Sequence, residues 1–543
     1  MAGHLLSVIT FLPLLGGLIL LLLEEHEHKW IRRGALVISA VTFLISLALL
    51  RGFNPAEPGY QFPEMHPWMA SPPISYHLGI DGLSLWLVLL TTFLTPLAVL
   101  CSWKGIDRRV REFHALLLVL EAAMIGVFVS LDLVLFFLFF EAMLIPMFFL
   151  IGIWGHERRI YAAIKFVLYT MAGSILMLVA IVALYRYTGS FDLTVIQQRL
   201  LTEGRLPSAG VERLLFLAFF AAFAIKVPVF PLHTWLPDAH VEAPTAGSVI
   251  LAGVLLKIGT YGLMRFCLPL FPEASRYYAP WIAALAIIGI IYGALVAMVQ
   301  PDYKKLVAYT SVSHLGFVVL GIFSFTQIGM QGAVYQMLNH GVSTGGLFLA
   351  AGMLYDRRHT HLIREFGGLA TPMPVFSALF LFVCLSSAGL PMLNGFVGEF
   401  LILNGTFDRN PLWATLAATG VILSAVYLLW SYQRLIYGPV TVEKNSALSD
   451  ALPRERFCLA AICVMALVMG MASPLFTRRT ESTVSRIRLE MQANRIYSVG
   501  RPAAPQTPCT CGNGDPACPC AIPVTAVRVA AGVAATAGKA GLP

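Results

Sequence analysis

Residues 220–263, FAAFAIKVPVFPLHTWLPDAHVEAPTAGSVILAGVLLKIGTYGL, put a lysine inside each of two apolar runs, Lys226 after FAAFAI and Lys257 after ILAGVLL. A run of about 20 apolar residues crosses the hydrocarbon of a bilayer as a helix. A charged residue at the centre of such a helix costs about 2.5–3.5 kcal/mol on insertion scales, so it is absent unless needed. Pro228 and Pro231 remove backbone donors directly after Lys226. A helix break at membrane depth is tolerated only where protein buries it or where it lines a wet cavity. This stretch predicts a bundle of membrane helices with charge placed on purpose in its interior.

The rest of the chain agrees. Of 543 residues 58% are apolar and 12% charged, with a mean hydropathy of +0.76. Soluble domains carry about 45–50% apolar and about 25% charged residues. These proportions exclude a cytosolic enzyme, a nucleic-acid binder and a disordered scaffold. The first segment, LLSVITFLPLLGGLILLLL after MAGH, lacks a basic leader and a cleavage site and reads as an uncleaved helix. About 14 stretches are long and apolar enough to span, and no alternating strand pattern is evident. The fold class expected is an all-α polytopic membrane protein.

The net charge of +8 follows topology rather than nucleic acid. Loops after odd-numbered spans (EEHEHKWIRR, WKGIDRRVREF, HERR, PDYKK, YDRRHTHLIREF) hold roughly 18 Lys and Arg, against roughly 8 after even-numbered ones. The basic loops are expected on the cytoplasmic side, with both termini outside. After the last span, Val484, Ile487 and Met491 form one helical stripe between basic residues, the pattern of a helix lying on a membrane or a partner. From about residue 501 the chain is rich in Pro, Ala and Gly and reads as disordered.

Five ionisable residues stand near the middle of apolar runs: Glu121, Glu141, Lys226, Lys257 and Glu399, with His314 and His340 similarly deep. One buried pair could merely fix helix packing. A set on separate helices sums to roughly 10 kcal/mol or more of desolvation, which packing alone does not justify. A second interruption, Gly389, Pro391 and Gly395, precedes Glu399 as Pro228 and Pro231 follow Lys226, and paired broken helices mark the path in transporters. Sodium would need several oxygen ligands, yet Asp81, Asp132, Asp238 and Asp302 all fall at or beyond helix ends. Lysine cannot coordinate a cation, but away from water it holds its proton less firmly and can release it. The residues describe a proton path.

The signature stretch beginning at Lys226 resembles the antiporter-like membrane subunits of respiratory complex I and of multi-subunit cation/proton antiporters, over nearly all of residues 1–475. Within that family, LDLVLFFLFFEAMLIPMFFLIGIWG and SSAGLPMLNGFVGEFLIL resemble the subunit M branch (mitochondrial subunit 4 type) of NADH–quinone oxidoreductase. Sister branches typically carry Lys where this chain has Glu399. The resemblance implies about 14 transmembrane helices, two inverted five-helix repeats and two broken helices. It implies a division into residues 1–113 (helices 1–3), 114–267 and 268–437 (the two repeat halves), 438–475 (the last span), 476–500 (an amphipathic helix) and a tail, 501–543.

The resemblance also implies roles. Glu141 matches the family's helix-5 acid, Lys226 the helix-7 base, Lys257 the central lysine and Glu399 the terminal acid; Glu121 is a second-tier position. A Glu141–Lys226 pair would keep both groups charged until it opens. The proton would then pass to Lys257 and on through His314, His340 and water to Glu399. NAD, FMN, iron–sulfur clusters and quinone would belong to partner subunits, with no redox centre, cofactor or metal in this chain. The partners implied are other membrane-arm subunits, including sister antiporter-like ones, in a bacterial inner membrane. A sodium/proton antiporter subunit or a membrane-bound hydrogenase subunit shares the same signature; Glu399 and the lack of mid-membrane Asp favour complex I. A purely structural spacer would be more stable with leucines at these positions. The tail departs from the family: Cys509, Cys511, Cys518 and Cys520 form C-x-C-x6-C-x-C, a set able to hold zinc or a non-functional extension.

Overall fold

The computed structural model describes residues 2–203, 206–440 and 442–499. The four tail cysteines lie outside the described residues. In chain order the helices are α1 (Leu5–Leu21), α2 (His28–Ser46), α3 (Gly82–Gly105), α4 (Val110–Val129), α5 (Leu133–Trp154) and α6 (Arg159–Thr188). There follow α7 (Ala209–Lys226), α8 (Trp235–Glu242), α9 (Thr245–Leu270), α10 (Pro272–Met298), α11 (Tyr303–Phe323) and α12 (Gln327–Arg358). The chain continues as α13 (Pro374–Ser387), α14 (Asn394–Arg409), α15 (Pro411–Ile436), α16 (Pro453–Met471) and α17 (Pro474–Val499). Among the described residues, nine helices are long and apolar enough to cross a membrane, or ten if α16 and α17, bent by 66° at their junction, count as one span. The expected spans outside this set fall on shorter or interrupted helices (α1, α7, α13, α14 and α16) and on α12, which is long and unbroken but less apolar.

Both expected breaks are present. Helix α7 ends at Lys226 and α8 begins at Trp235; α13 ends at Ser387 and α14 begins at Asn394. The backbone freed by the first break finds partners nearby: Val229 N–H donates to the Ala224 carbonyl at 2.9 Å, and Trp235 Nε1–H to the Ile225 carbonyl at 2.9 Å. Buried backbone groups without water must be paired in this way.

Helix α9 is the hub. Its apolar span is wholly buried, as expected of a helix that is apolar all round. Two π-helical turns, Leu251–Leu255 and Leu263–Cys267, bracket Lys257, and such bulges recur at functional sites. Gly253 and Gly341 let α9 and α12 meet backbone to backbone: a Cβ on Gly341 would lie 2.9 Å from the Gly253 carbonyl oxygen.

Two sequence expectations are corrected. Residues Gln61–Met69 and Ile74–Ile80 form an antiparallel hairpin, β1–β2, where no strand pattern was evident. Its alternation is interrupted by register shifts at Gln61/Glu64 and Pro67/Met69, which hide the period. The apolar stripe of α17 faces neither lipid nor partner: Val484, Ile487 and Met491 are 0%, 1% and 3% exposed within this chain. Asp81, the N-cap of α3, holds that helix in place. It accepts two bonds of 2.6 Å from Arg265 and one of 2.9 Å from Arg486 of α17.

A pair of short bridges recurs. Leu133 N–H donates to Phe191 O and Leu193 N–H to Leu131 O, at 2.9 and 2.8 Å. Further along, Tyr303 N–H donates to His361 O and Ile363 N–H to Pro301 O, both at 2.8 Å. The first bridge precedes α5. The second lies at the other end of α5, since Asp302 and His361 line a cavity with His156, which follows α5.

Candidate proton path

Glu141 comes from the first half of α5 and Lys226 from the end of α7, where the proline break stops the helix. Lys226 is 1% exposed, and its Nζ has no hydrogen-bond partner among the described residues. It stands 4.8 Å from the Phe140 ring centre and 5.5 Å from that of Phe166, in cation–π range. The Glu141 charge acts on it electrostatically, but among the described residues the two make no hydrogen bond, and Glu141 Oε1 is itself buried without a partner. The hydrogen-bonded closed pair expected from the sequence is therefore absent among the described residues, and the ammonium faces the Phe140 and Phe166 rings instead.

The second half is a row of close groups with one gap, between its two histidines. Lys257 is fully buried. Its ammonium donates to the Ala252 carbonyl, which the π turn turns towards it, and meets His340 Nδ1 at 2.6 Å. The His340 and His314 rings lie 6.0 Å apart. His314 Nδ1 meets Glu399 Oε1 at 3.0 Å, and its Nε2 sits 3.5 Å from both Ser387 Oγ and Tyr427 Oη. Gln336 Nε2–H donates to Glu399 Oε1 at 3.2 Å, while Glu399 Oε2 has no partner. The geometry reverses the expected order of the histidines: His340 touches Lys257, and His314 touches Glu399. The break before Glu399 places Gly389 at φ +79°, and a Cβ there would lie 3.2 Å from Glu399 Oε2. Glycine keeps this turn open beside the carboxylate.

Glu121 is buried in α4 with neither oxygen hydrogen-bonded among the described residues and Thr95 as its polar neighbour. No described contact joins it to the other path residues.

The structure adds groups that the sequence reading passed over. His240 of α8 is fully buried, stacked on Phe348 at 4.4 Å with both ring nitrogens unpartnered, within electrostatic reach of Lys257 and Lys304. Lys304, read as one of the basic loop residues in PDYKK, is 3% exposed and donates to the carbonyls of Ala243 (2.5 Å) and Val241 (3.3 Å). A polar network flanks Glu399: Asn339 Nδ2–H to Gln336 Oε1 (2.9 Å), Asn394 Nδ2–H to Ser343 Oγ (3.2 Å), and Ser386 Oγ–H to Asn394 Oδ1 (2.6 Å). Asparagines and serines inside apolar runs were the available signal.

At the end of the bundle marked by His156, a cavity of about 710 Å³ is lined by His156, Glu242, Asp302, Tyr355 and His361. Burial, with Lys304 nearby, lowers the His156 imidazole to about 4, so it is neutral at pH 7. Tyr355 Oη lies 3.1 Å from its Nδ1.

Known proteins share this architecture. A family model described as NADH:quinone oxidoreductase/Mrp antiporter matches residues 130–425, and one described as NADH-ubiquinone oxidoreductase chain 4, amino terminus, matches residues 8–127. NADH-quinone oxidoreductase subunit M of Rhodobacter capsulatus is 49% identical over 488 residues, covering 87% of this chain and 94% of that one. NADH-ubiquinone oxidoreductase chain 4 of Marchantia polymorpha is 44% identical, covering 89% and 96%. Among solved structures, a chain of respiratory complex I from Thermus thermophilus with bound NADH superposes with a TM-score of 0.82 at 33% identity, covering 90% of this chain and 99% of that one. With both family models matched in series and relatives aligned over almost their full length, this multi-pass membrane chain belongs to the subunit M/chain 4 family of NADH:quinone oxidoreductase membrane subunits.

Proposed function

We propose that this chain is a proton-translocating membrane subunit of a NADH–quinone oxidoreductase. The observation that carries the reading is the row Lys257–His340–His314–Glu399, four titratable side chains from four helices, with direct contacts at each end and ring centres 6.0 Å apart between. Each can hold and release a proton, and the Lys257 ammonium against His340 repels a metal cation at that end of the row.

In this scheme a change in a neighbouring subunit moves Glu141 relative to Lys226. Deprived of its counter-charge in a low dielectric, Lys226 gives up its proton towards Lys257. Lys257 passes a proton to His340, and the ring pair carries it to His314 and Glu399 for release. Water completes the steps where fixed groups do not touch. Moving one charge against 100 mV takes about 2.3 kcal/mol, a small sum for a coupled conformational switch. NAD, FMN, iron–sulfur clusters and quinone act in partner subunits, and this chain contributes the proton path rather than redox chemistry. It sits with sister antiporter-like subunits in a bacterial inner membrane, with both termini on the periplasmic side.

The recurring bridges at opposite ends of α5 support two inverted halves, 114–267 and 268–437, each with one broken helix at the path. The test is transport by Lys226→Ala and Glu141→Gln variants. Both should assemble normally and lose proton pumping, and normal pumping in either one overturns the scheme.

A further inference from the structure

Away from the path, α2, α3, α12, α16 and α17 enclose a cleft of about 320 Å³. That is about ten times the ~30 Å³ that one water occupies in the liquid. Its walls are apolar, Phe93, Leu338 and Phe476 among them, and its rim carries Val468 and Leu475, 42% and 54% exposed. Two side chains break the pattern. Trp86, 8% exposed, lines the cleft, and Arg479 lines it too; among the described residues the buried Trp86 Nε1–H and Arg479 Nε–H have no partner. The Arg479 guanidinium carbon lies 5.9 Å from the Trp86 ring centre, and the Trp86 ring packs on Phe476 at 4.5 Å. One guanidinium nitrogen, Nη1, donates to the Leu475 carbonyl at 2.7 Å.

A buried donor without an acceptor costs about 1–3 kcal/mol, and two of them at one site call for an occupant. That occupant has a long apolar body and strong acceptors at one end. A neighbouring helix offers fewer acceptors, because its backbone carbonyls are already spent on its own hydrogen bonds. The charge around the cleft narrows the choice. Arg479 is the charged residue of its lining, at the hairpin end of the bundle, where Gly82 N–H donates to Thr483 of the same helix; Arg486, further along α17, is taken up by Asp81. The positive-inside trend gives no reason for basic residues at that end, whereas an anionic headgroup does.

We propose that this cleft is a binding site for an anionic glycerophospholipid. One acyl chain lies along Phe93, Leu338 and Val468, and the ester or phosphate oxygens accept from Trp86 Nε1–H and Arg479 Nε–H. The lipid fastens α17 to α3 and α16, the helices that surround Asp81 and the bundle edge.

The test is lipid retention by the assembled membrane complex, purified in dodecyl maltoside, exchanged with 1-palmitoyl-2-oleoyl phosphatidylglycerol or the matching phosphatidylcholine, and analysed by native mass spectrometry. Wild type should keep one phosphatidylglycerol that Arg479→Gln loses by about tenfold or more. Val468→Trp, at the exposed rim where folding is not at stake, should lose it as well, and both variants should pump protons normally in lipid-rich membranes. Equal retention in wild type and both variants overturns the proposal, as does equal retention of phosphatidylcholine. Cross-linking of Val468→Cys to a neighbouring subunit, with no lipid retained, would make the cleft a subunit interface and overturn it too. None of these results touches the proton-path reading, whose residues are elsewhere.

Discussion

Replacing Glu399 by Gln isolates charge from shape. The Gln amide has the same size as the carboxylate, and its oxygen still accepts from His314 Nδ1–H and Gln336 Nε2–H, which reach Glu399 Oε1 at 3.0 and 3.2 Å. Packing and assembly should therefore survive. What disappears is the negative charge that stabilises an imidazolium on His314 as the proton arrives. At an effective dielectric of ~20, two unit charges 3.0 Å apart attract by about 5 kcal/mol, and the amide forfeits that attraction as the proton passes. Even with relaxation removing half of that energy, transport falls by about a hundredfold. The assay is NADH-driven acidification of inverted membrane vesicles followed with a pH-sensitive dye, beside complex content on native gels. The expected result is an intact complex with proton uptake reduced to background. A wild-type ratio of protons to NADH in Glu399→Gln would refute the role given to this residue. Glu399→Lys should retain part of the transport, since an ammonium can also hold and release a proton; complete inactivity would count against that point.

Three further outcomes follow from the geometry. Lys257→Met breaks the 2.6 Å contact with His340 and should abolish pumping while leaving helix packing intact, checked by the same vesicle assay and by thermal unfolding in detergent. Gly389→Ala introduces a side chain at φ +79°, at a cost of about 1–2 kcal/mol, and crowds Glu399 Oε2; a lower melting temperature and impaired transport are expected, and an unchanged protein would contradict the account of the turn. Arg486→Ala removes one of the two arginines on Asp81 and should loosen α17 by about 1–2 kcal/mol, seen as faster proteolysis after the arginines of that helix. Burial alone would raise the Asp81 carboxyl, but Arg265 and Arg486 pull it down to about 2. The stability that this carboxylate gives is thus complete above its ordinary pKa of about 4 and is lost as pH falls through 2. Arg486→Ala should move that loss to higher pH.

Much of the fold was legible because a bilayer imposes strong rules. Apolar length marked the helices, and prolines beside Lys226 and before Glu399 marked two breaks that the structure contains. What stayed hidden depends on which helices touch. Nothing in the order of residues says that Gly253 and Gly341 bring Lys257 against His340, so the two histidines were ranked by position in the chain and the geometry reversed them. Lys304 sits at a helix start beside a charged loop, where counting for topology absorbs it, yet it is buried and donates to the Val241 and Ala243 carbonyls at the end of α8. The hairpin escaped because proline and register shifts interrupt its alternation. The α17 stripe was recognised as amphipathic, but amphipathicity does not say whether lipid, partner or the chain's own bundle covers it. Here Asp81 and its arginines decide in favour of the bundle.

We propose that this chain moves protons on behalf of a quinone reductase built from other subunits. The most direct measurement is purification of the tagged chain from native membranes in mild detergent, scored for flavin, iron–sulfur absorbance and NADH-dependent quinone reduction. The account predicts that all three co-purify with the chain. Recovery of the chain with membrane subunits alone, without flavin or iron–sulfur centres, would contradict it and assign the same buried lysines and glutamates to an antiporter.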